Sequence, residues 1–291
     1  DHNWKRTHKA YDAMALGEGF EFEDPREAVE KAYSDGEYDY FIQPSTRKGF
    51  SGMTNEDEVI FFNYRADRER QIEEELIEDK DPDEFDEPVH PNFTGMFPYE
   101  RGLEAASIFE KEIVEDTLGE EIADKGMTQL RVAESQKKPH VTYFFNGQRE
   151  LKFEGEERKF IESDKIRAFD ERPEMHAEEI TDIVIEAVEE NEKNFIMLNY
   201  ANCDLVGHTG DLEATIKGLE AVDENLGRLV EKVEASEYEM IVTADHGNCE
   251  DMGTEDNPNT SHSMNKVPLI STESCKDIRG ISEIRRLIDE S

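Results

Sequence analysis

The chain has 291 residues, with 72 acidic against 33 basic side chains and a formal charge of -39. A field of that sign argues against nucleic-acid and anionic-membrane partners, since both are held by cationic patches, and no apolar run approaches the length of a membrane span. High charge with a mean hydropathy of -0.81 is also the composition of disordered chains, but 16 Phe, 9 Tyr and apolar residues at strand-like and helix-like spacings predict a folded protein with a carboxylate-covered surface. Such a surface repels itself in dilute salt and is tolerated where ions screen it, which suggests a host with a salty cytoplasm. Cys203, Cys249 and Cys275 form no CxxC pair and give an odd count, so a reduced, cytoplasmic home is the simplest reading.

In chain order, the polar opening Asp1-His2-Asn3-Trp4 has no initiator Met and reads as the tail of something longer. A short helical pattern runs from Thr7 to about Leu16, and Asp24-Pro25 marks the start of a helix toward Tyr33. Glu58 to Tyr64 is an apolar run of strand length feeding a charged helix from about Asp67, and Glu78 to His90, with its prolines and carboxylates, reads as a solvated loop. From about Ile113 strands and helices alternate. Val141 to Phe145, then Asn146-Gly147, then Gln148 to Phe153 spells a β-hairpin with a two-residue turn. Ala177 to Glu189 is predicted as a helix and Phe195 to Tyr200 as a buried strand. Asp211 is placed to cap a long helix whose apolar stripe includes Leu212, Ile216, Leu219, Leu226, Leu229 and Val233. Glu239 to Thr243 and Lys266 to Ile270 are the last strands. The class is α/β, and in such sheets sites gather beyond the carboxyl ends of the strands.

Two groups of chemically capable residues lie where that rule puts them. Asp204 and His208 follow the strand ending near Tyr200, and Asp245-His246 follows the one ending at Thr243, while His262 lies in the polar loop Asn259 to Ser263. Asp and His offer the oxygen and imidazole ligands that Zn²⁺ or Mn²⁺ accept, carboxylate suiting Mn²⁺. Asp204 and His208 are four apart, so one helical turn can aim both at one ion. Any one of these residues taken alone is as readily a helix cap or a hydrogen-bonded structural group; their convergence at strand ends is what favours a metal centre.

The segments "NCDLVGHTGD", "TADHGN" and "SHSMNKVP", with "VIFFNYRADRERQI", "LRVAESQKKPHVTYFFNG" and Pro173-Glu174-Met175 upstream, resemble the cofactor-independent (2,3-bisphosphoglycerate-independent) phosphoglycerate mutases of the alkaline phosphatase superfamily, in order along the chain to about residue 270. The resemblance implies the C-terminal part of an alkaline-phosphatase-like three-layer domain, residues 113–291, joined to the second part of an inserted substrate-binding α/β domain, residues 1–112. It implies two Mn²⁺ and no 2,3-bisphosphoglycerate, with Asp204, His208 and His262 on one ion and Asp245 and His246 on the other. Arg65 and Arg68 would bind substrate. As residues alone they are two guanidinium forks able to clamp an anion, or exposed charges balancing Asp67 and Glu69. Lys137, a surface lysine by default, would approach the transferring phosphoryl group as a catalytic and substrate-binding residue.

The implied reaction interconverts 3- and 2-phosphoglycerate in glycolysis through a phosphoserine, in a monomer when full length. The nucleophilic Ser and the remaining ligands belong to motifs that these residues do not contain, so the chain alone is expected to be inactive. Asn3 before Trp4 and Asn259 in the last metal loop depart from the family pattern. Another member of the superfamily, such as a phosphopentomutase or phosphatase, would share the metal motifs but not "FFNYRADR" or "AESQKKPHVTYFFNG". An acidic, partly folded binding protein would show neither metal binding nor a sheet.

Overall fold

The computed structural model describes residues 3–37, 39–64, 69–78, 88–99, 105–110, 113–254, 256–272, 278–285 and 288. The chain forms two compact units, Asp1–Glu112 and Ile113–Ser291.

In the first unit, α1 (Trp4–Tyr11) runs into a wider helical turn, Asp12–Leu16, that Gly17 ends in the left-handed conformation. Strand β1 (Phe20–Phe22) precedes α2 (Pro25–Ser34). Pro25 occupies the first turn, where its missing N–H costs nothing, and the Arg26 N–H donates to the Asp24 carboxylate at 3.0 Å. There follow β2 (Ser45–Arg47), β3 (Glu58–Phe61), α3 (Arg70–Ile77), β4 (Asn92–Gly95) and β5 (Ala106–Ser107). Strands β1 and β2 pair in parallel, and β3, β4 and β5 form a second parallel sheet in that order. Tyr11, Ala15, Leu76, Phe93 and Tyr99 make the core. The run expected to continue as strand to Tyr64 ends its ladder at Phe61, and Phe62 and Tyr64 are exposed. Most of the expected 78–90 loop, and the start of the charged helix at Asp67, lie outside the described residues.

The second unit opens with α4 (Leu118–Asp124), β6 (Gln129–Glu134), β7 (Glu156–Ile161), α5 (Ala177–Glu190) and β8 (Phe195–Asn199). The three strands form a parallel sheet in the order β7-β6-β8. Leu130 and Val132 of β6 pack against Ile180, Val184, Ala187 and Val188 of α5, each large side chain contributing about 1.5–3 kcal/mol by burial. The expected α/β class is borne out. A chain kept open by its charge would not carry these parallel sheets, so the reading as a partly folded acidic binding protein loses its basis.

The predicted hairpin at Val141–Phe153 is not formed. His140–Phe144 is a helical turn, and Phe145 lies across β6, its ring 4.1 Å from the buried Arg131 guanidinium and 6.1 Å from the Phe195 ring. Asn146 and Gly147 close this turn: their N–H groups donate to Thr142 O at 2.7 Å and Phe144 O at 3.1 Å, and Gln148 N donates to Tyr143 O at 2.8 Å. Gly147 takes φ 67°, which both a hairpin turn and a helix end demand, so Asn-Gly does not separate the two. Tertiary contact decides. A Cβ on Gly147 would sit 2.0 Å from Val114 O, and the aromatic run covers Arg131, whose guanidinium burial pushes down to about 10.

After β8 come α6 (Asn202–Gly207), α7 (Leu212–Glu234), β9 (Ile241–Thr243), β10 (Gly253–Thr254), β11 (Asn257–Pro258) and β12 (Leu269–Ser271). β9 pairs antiparallel with β12, and β10 with β11. The expected cap is present: Ala214 N donates to Asp211 Oδ1 at 2.8 Å. Asp211→Ala is expected to cost about 1 kcal/mol and to lower the melting temperature by roughly 2–4 °C in a unit of this size; thermal denaturation followed by circular dichroism would measure it.

The expected apolar stripe of α7 is buried only in its second half. Leu229 and Val233 are in the core, but Leu212, Ile216 and Leu219 are 57, 47 and 49% exposed. The first half of α7 turns Ala214, Thr215 and Gly218 inward, because it packs close on α6, where only small side chains fit. Arg228 and Lys232 of α7 reach Asp182 and Glu189 of α5; such exposed pairs contribute about 0–1 kcal/mol each. Among the described residues no helix is long and apolar enough to cross a membrane.

Candidate metal centre

Strand β6 ends at Glu134 and the chain turns through Ser135–Lys137, burying Lys137. Strand β8 ends at Asn199, and the short helix α6 then carries Asp204 and brings His208 one turn later, His208 N donating to Asp204 O at 3.0 Å. That short helix is anchored by Asn202, whose side-chain N–H groups donate to Pro173 O and Glu174 O, both at 2.8 Å. Asp245 and His246 follow β9, and His262 comes from the loop between β11 and β12.

Asp204 is the hub. Its Oδ1 lies 3.0 Å from His208 Nε2, 3.1 Å from His262 Nε2 and 3.9 Å from His246 Nε2, and it accepts a hydrogen bond from Asn248 Nδ2 at 2.9 Å. Its Oδ2 accepts from the buried Lys137 ammonium. Burial opposes ionisation of Asp204, but the His208 ring and the Lys137 ammonium outweigh it and hold the carboxyl well below the usual carboxylate range. His208 and His262 bring their Nε2 atoms to 3.1 Å of each other, and the His246 and His262 rings stack at 3.6 Å. Donor atoms of Asp204, His246 and His262 all lie within 4.8 Å of one another. Asp245 reaches this group through His246, whose Nε2 is 3.6 Å from Asp245 Oδ2.

The donor set fits a divalent cation. His208 Nδ1 lies 2.7 Å from Thr260 O. A carbonyl only accepts, so Nδ1 carries a proton and Nε2 is the ring nitrogen turned toward Asp204 and His262. A carbonyl partner of this kind is how ligating histidines are oriented. A carboxylate oxygen and imidazole nitrogens brought this close together are the donor types that Zn²⁺, Mn²⁺ or Co²⁺ accept.

The structure thus brings together Asp204, His208, His246 and His262, with Asp245 behind His246 and Lys137 on the far oxygen. Nothing in the spacing of Lys137 announced that it is buried against Asp204. Sequence reading also missed Asn248, Glu250, Ser263 and the Thr260 carbonyl, which bear on the ligands from the side; the polar string after His246 was the one available signal. Arg65, Arg68 and Cys275 lie outside the described residues. Cys203 and Cys249 are half-buried free thiols, and the hydrogen bond between them together with burial pushes the Cys203 thiol up.

Residues 40–283 match the family model described as the Metalloenzyme superfamily. The chain belongs to that superfamily. The chain is 42% identical over 273 residues to the 2,3-bisphosphoglycerate-independent phosphoglycerate mutase of Haloarcula marismortui, a match covering 93% of the chain and 53% of the relative. It is 41% identical over 288 residues to the protein of that name from Listeria innocua, covering 96% of the chain and 56% of the relative. The Halobacterium salinarum protein of that name is 41% identical over 279 residues, with 93% and 55% covered. The fold matches that of Leishmania mexicana phosphoglycerate mutase, crystallised at low cobalt concentration, with a TM-score of 0.82 and 32% identity over 93% of this chain and 54% of that one. The chain therefore spans about half the length of the curated relatives it matches, and the resemblance read from its motifs extends along nearly all of it.

Proposed function

We propose that this chain is part of a phosphoglycerate mutase that interconverts 3- and 2-phosphoglycerate without 2,3-bisphosphoglycerate, acting in cytoplasmic glycolysis as a monomer. The observation that carries the reading is Asp204, one carboxylate shared by His208 of its own helical turn, by His262 from a separate loop and by a buried lysine. Relatives of that name at 41–42% identity support it.

On this reading residues 113–291 are part of the phosphatase-like domain and residues 1–112 part of an inserted substrate-binding domain, where Arg65 and Arg68 would clamp substrate. Asp204, His208 and His262 would hold one Mn²⁺; Asp245 and His246 would contribute to a second. Bound divalent ions would neutralise charge on the phosphoryl oxygens and lower the pKa of the attacking serine hydroxyl. The nucleophilic Ser and the remaining ligands are proposed to come from outside these 291 residues. Lys137, buried beside Asp204, would offer a desolvated positive charge to the phosphoryl group, worth most in a water-poor site. In a chain of charge -39, bound metal ions together with such local cations would be what lets an anionic substrate approach.

The test uses two preparations and ³¹P NMR in a Mn²⁺ buffer. The 291 residues alone are expected to leave 3-phosphoglycerate unchanged, while the complete protein is expected to convert it to 2-phosphoglycerate with no added bisphosphoglycerate. Conversion by the 291 residues alone would refute the view that the nucleophile lies outside them. Release of inorganic phosphate in place of the isomer would make the complete protein a phosphatase.

A further inference from the structure

Three ligand-bearing segments meet at Asp204, and two of them, the loops carrying His246 and His262, have little regular structure of their own. One carboxylate ties them. Glu250 Oε2 accepts from Asn248 N at 2.7 Å, and Oε1 accepts from the Ser263 hydroxyl and from Asn265 Nδ2, the latter at 3.1 Å. Beneath it Ser263 N donates to Gly247 O at 2.9 Å, an antiparallel bridge between the residues that follow His246 and His262. The fit leaves no spare volume: a Cβ on Gly247 would lie 2.3 Å from Ser263 Oγ and 2.4 Å from Glu250 Oε1. Asn248, held by Glu250 at its N–H, in turn donates its side-chain amide to Asp204 Oδ1 at 2.9 Å and to Asp204 O at 3.3 Å.

We infer that Glu250 is a positioning residue for the metal centre, a carboxylate staple that fixes the His246 and His262 loops and, through Asn248, the Asp204 carboxylate. The inference rests on the metal-binding reading above. Three donors converge on Glu250, two from the His262 loop and one from the His246 loop, and each is a residue adjacent to or near a ligand. An acceptor with two oxygens is required, because an amide in its place would turn N–H groups toward at least one of these donors. The Ser263 hydroxyl is the largest influence holding the Glu250 carboxyl down at about 2, with burial opposing and Asn265 and backbone N–H groups assisting, so the staple keeps its charge throughout the neutral range. Side groups that orient ligands in this way typically change metal affinity about 10–100-fold when removed.

The experiment is a metal titration of the 291-residue chain freed of metal with a chelator, Mn²⁺ followed by calorimetry and Co²⁺ by its visible absorption. Glu250→Gln is expected to weaken Mn²⁺ about tenfold or more and to alter the intensity and position of the Co²⁺ bands, with the far-ultraviolet circular dichroism of the metal-free chain unchanged. Removing a carboxylate near a cation also weakens binding by simple charge, but that part fades in molar salt; the staple's part persists there. Ser263→Ala changes no charge, removes one hydroxyl and is expected to show a smaller loss in the same direction; it also serves if Glu250→Gln fails to fold. Wild-type affinity and an unaltered Co²⁺ spectrum in both variants would overturn the inference while leaving the metal reading intact. A wild-type chain that takes up neither ion would overturn both.

Discussion

Asp204→Asn is expected to abolish tight metal binding, with the Mn²⁺ affinity of the chain falling about 100-fold or more, equivalent to roughly 2.7 kcal/mol. The side chain keeps its shape, so the loss isolates charge and acceptor chemistry. Asp204 Oδ1 faces His208 Nε2, His262 Nε2 and Asn248 Nδ2, and Oδ2 faces Lys137. An amide there loses the charge a divalent ion seeks and presents N–H groups on one side, against either Lys137 or the histidines. The readout is thermal. A ligand at about 100 times its dissociation constant stabilises the folded state by roughly 2.7 kcal/mol, which in a unit of this size raises the melting temperature by about 5–10 °C. The wild-type chain should show that rise with Mn²⁺ and Asp204→Asn should not. Without metal the variant should also melt lower than wild type, because it leaves the buried Lys137 without its counter-charge, a loss of about 3 kcal/mol. A variant that kept the wild-type Mn²⁺ shift would remove Asp204 from the ligand set.

Lys137→Met is expected to move metal affinity the other way. The ammonium is buried and bonded to the oxygen of Asp204 opposite the histidines, so it competes with any cation for that carboxylate. A unit charge at salt-bridge distance, in an effective dielectric of about 20, is worth a few kcal/mol, and Mn²⁺ affinity should rise about tenfold or more. Activity of the complete protein should fall at the same time, by about 100-fold or more, because removing one preorganised donor from developing phosphoryl charge typically has that effect on kcat. Tighter metal with slower turnover is a signature that a merely structural lysine would not produce. Calorimetry on the chain and the ³¹P assay on the complete protein read the two halves separately. Weaker metal binding in Lys137→Met would mean that the lysine supports the ligand loops and does not oppose the ion.

Much of this was legible from residue order, for local reasons. Asp24-Pro25 and Asp211 mark helix starts because their side chains accept from N–H groups two or three residues on, a bond that needs no partner from elsewhere. Asp204 and His208 share a helical turn for the same kind of reason, and the alternation of strands with helices set the α/β class. The motifs around Asp204, Asp245-His246 and His262 told which residue types would matter, and their family resemblance held along the chain.

The rest depended on what lies across space. Asn146-Gly147 ends a helical turn instead of a hairpin because Phe145 is drawn over the buried Arg131 and Gly147 is pressed on Val114; the dipeptide's own preference is the same in both. Leu212, Ile216 and Leu219 have helical spacing, but α6 lies too close for them, and the small residues of α7 took the inner face. The burial of Lys137, the Thr260 carbonyl that sets the His208 tautomer, and the Glu250 staple are likewise unreadable from order, since each joins residues tens of positions apart or depends on a loop's final course. The sequence by itself determined the candidate ligand types and the strand ends that carry them; tertiary packing alone decided that the candidate residues from α6 and the two loops meet on one carboxylate, because desolvation, close approach and multi-donor hydrogen bonding are properties of the assembled site.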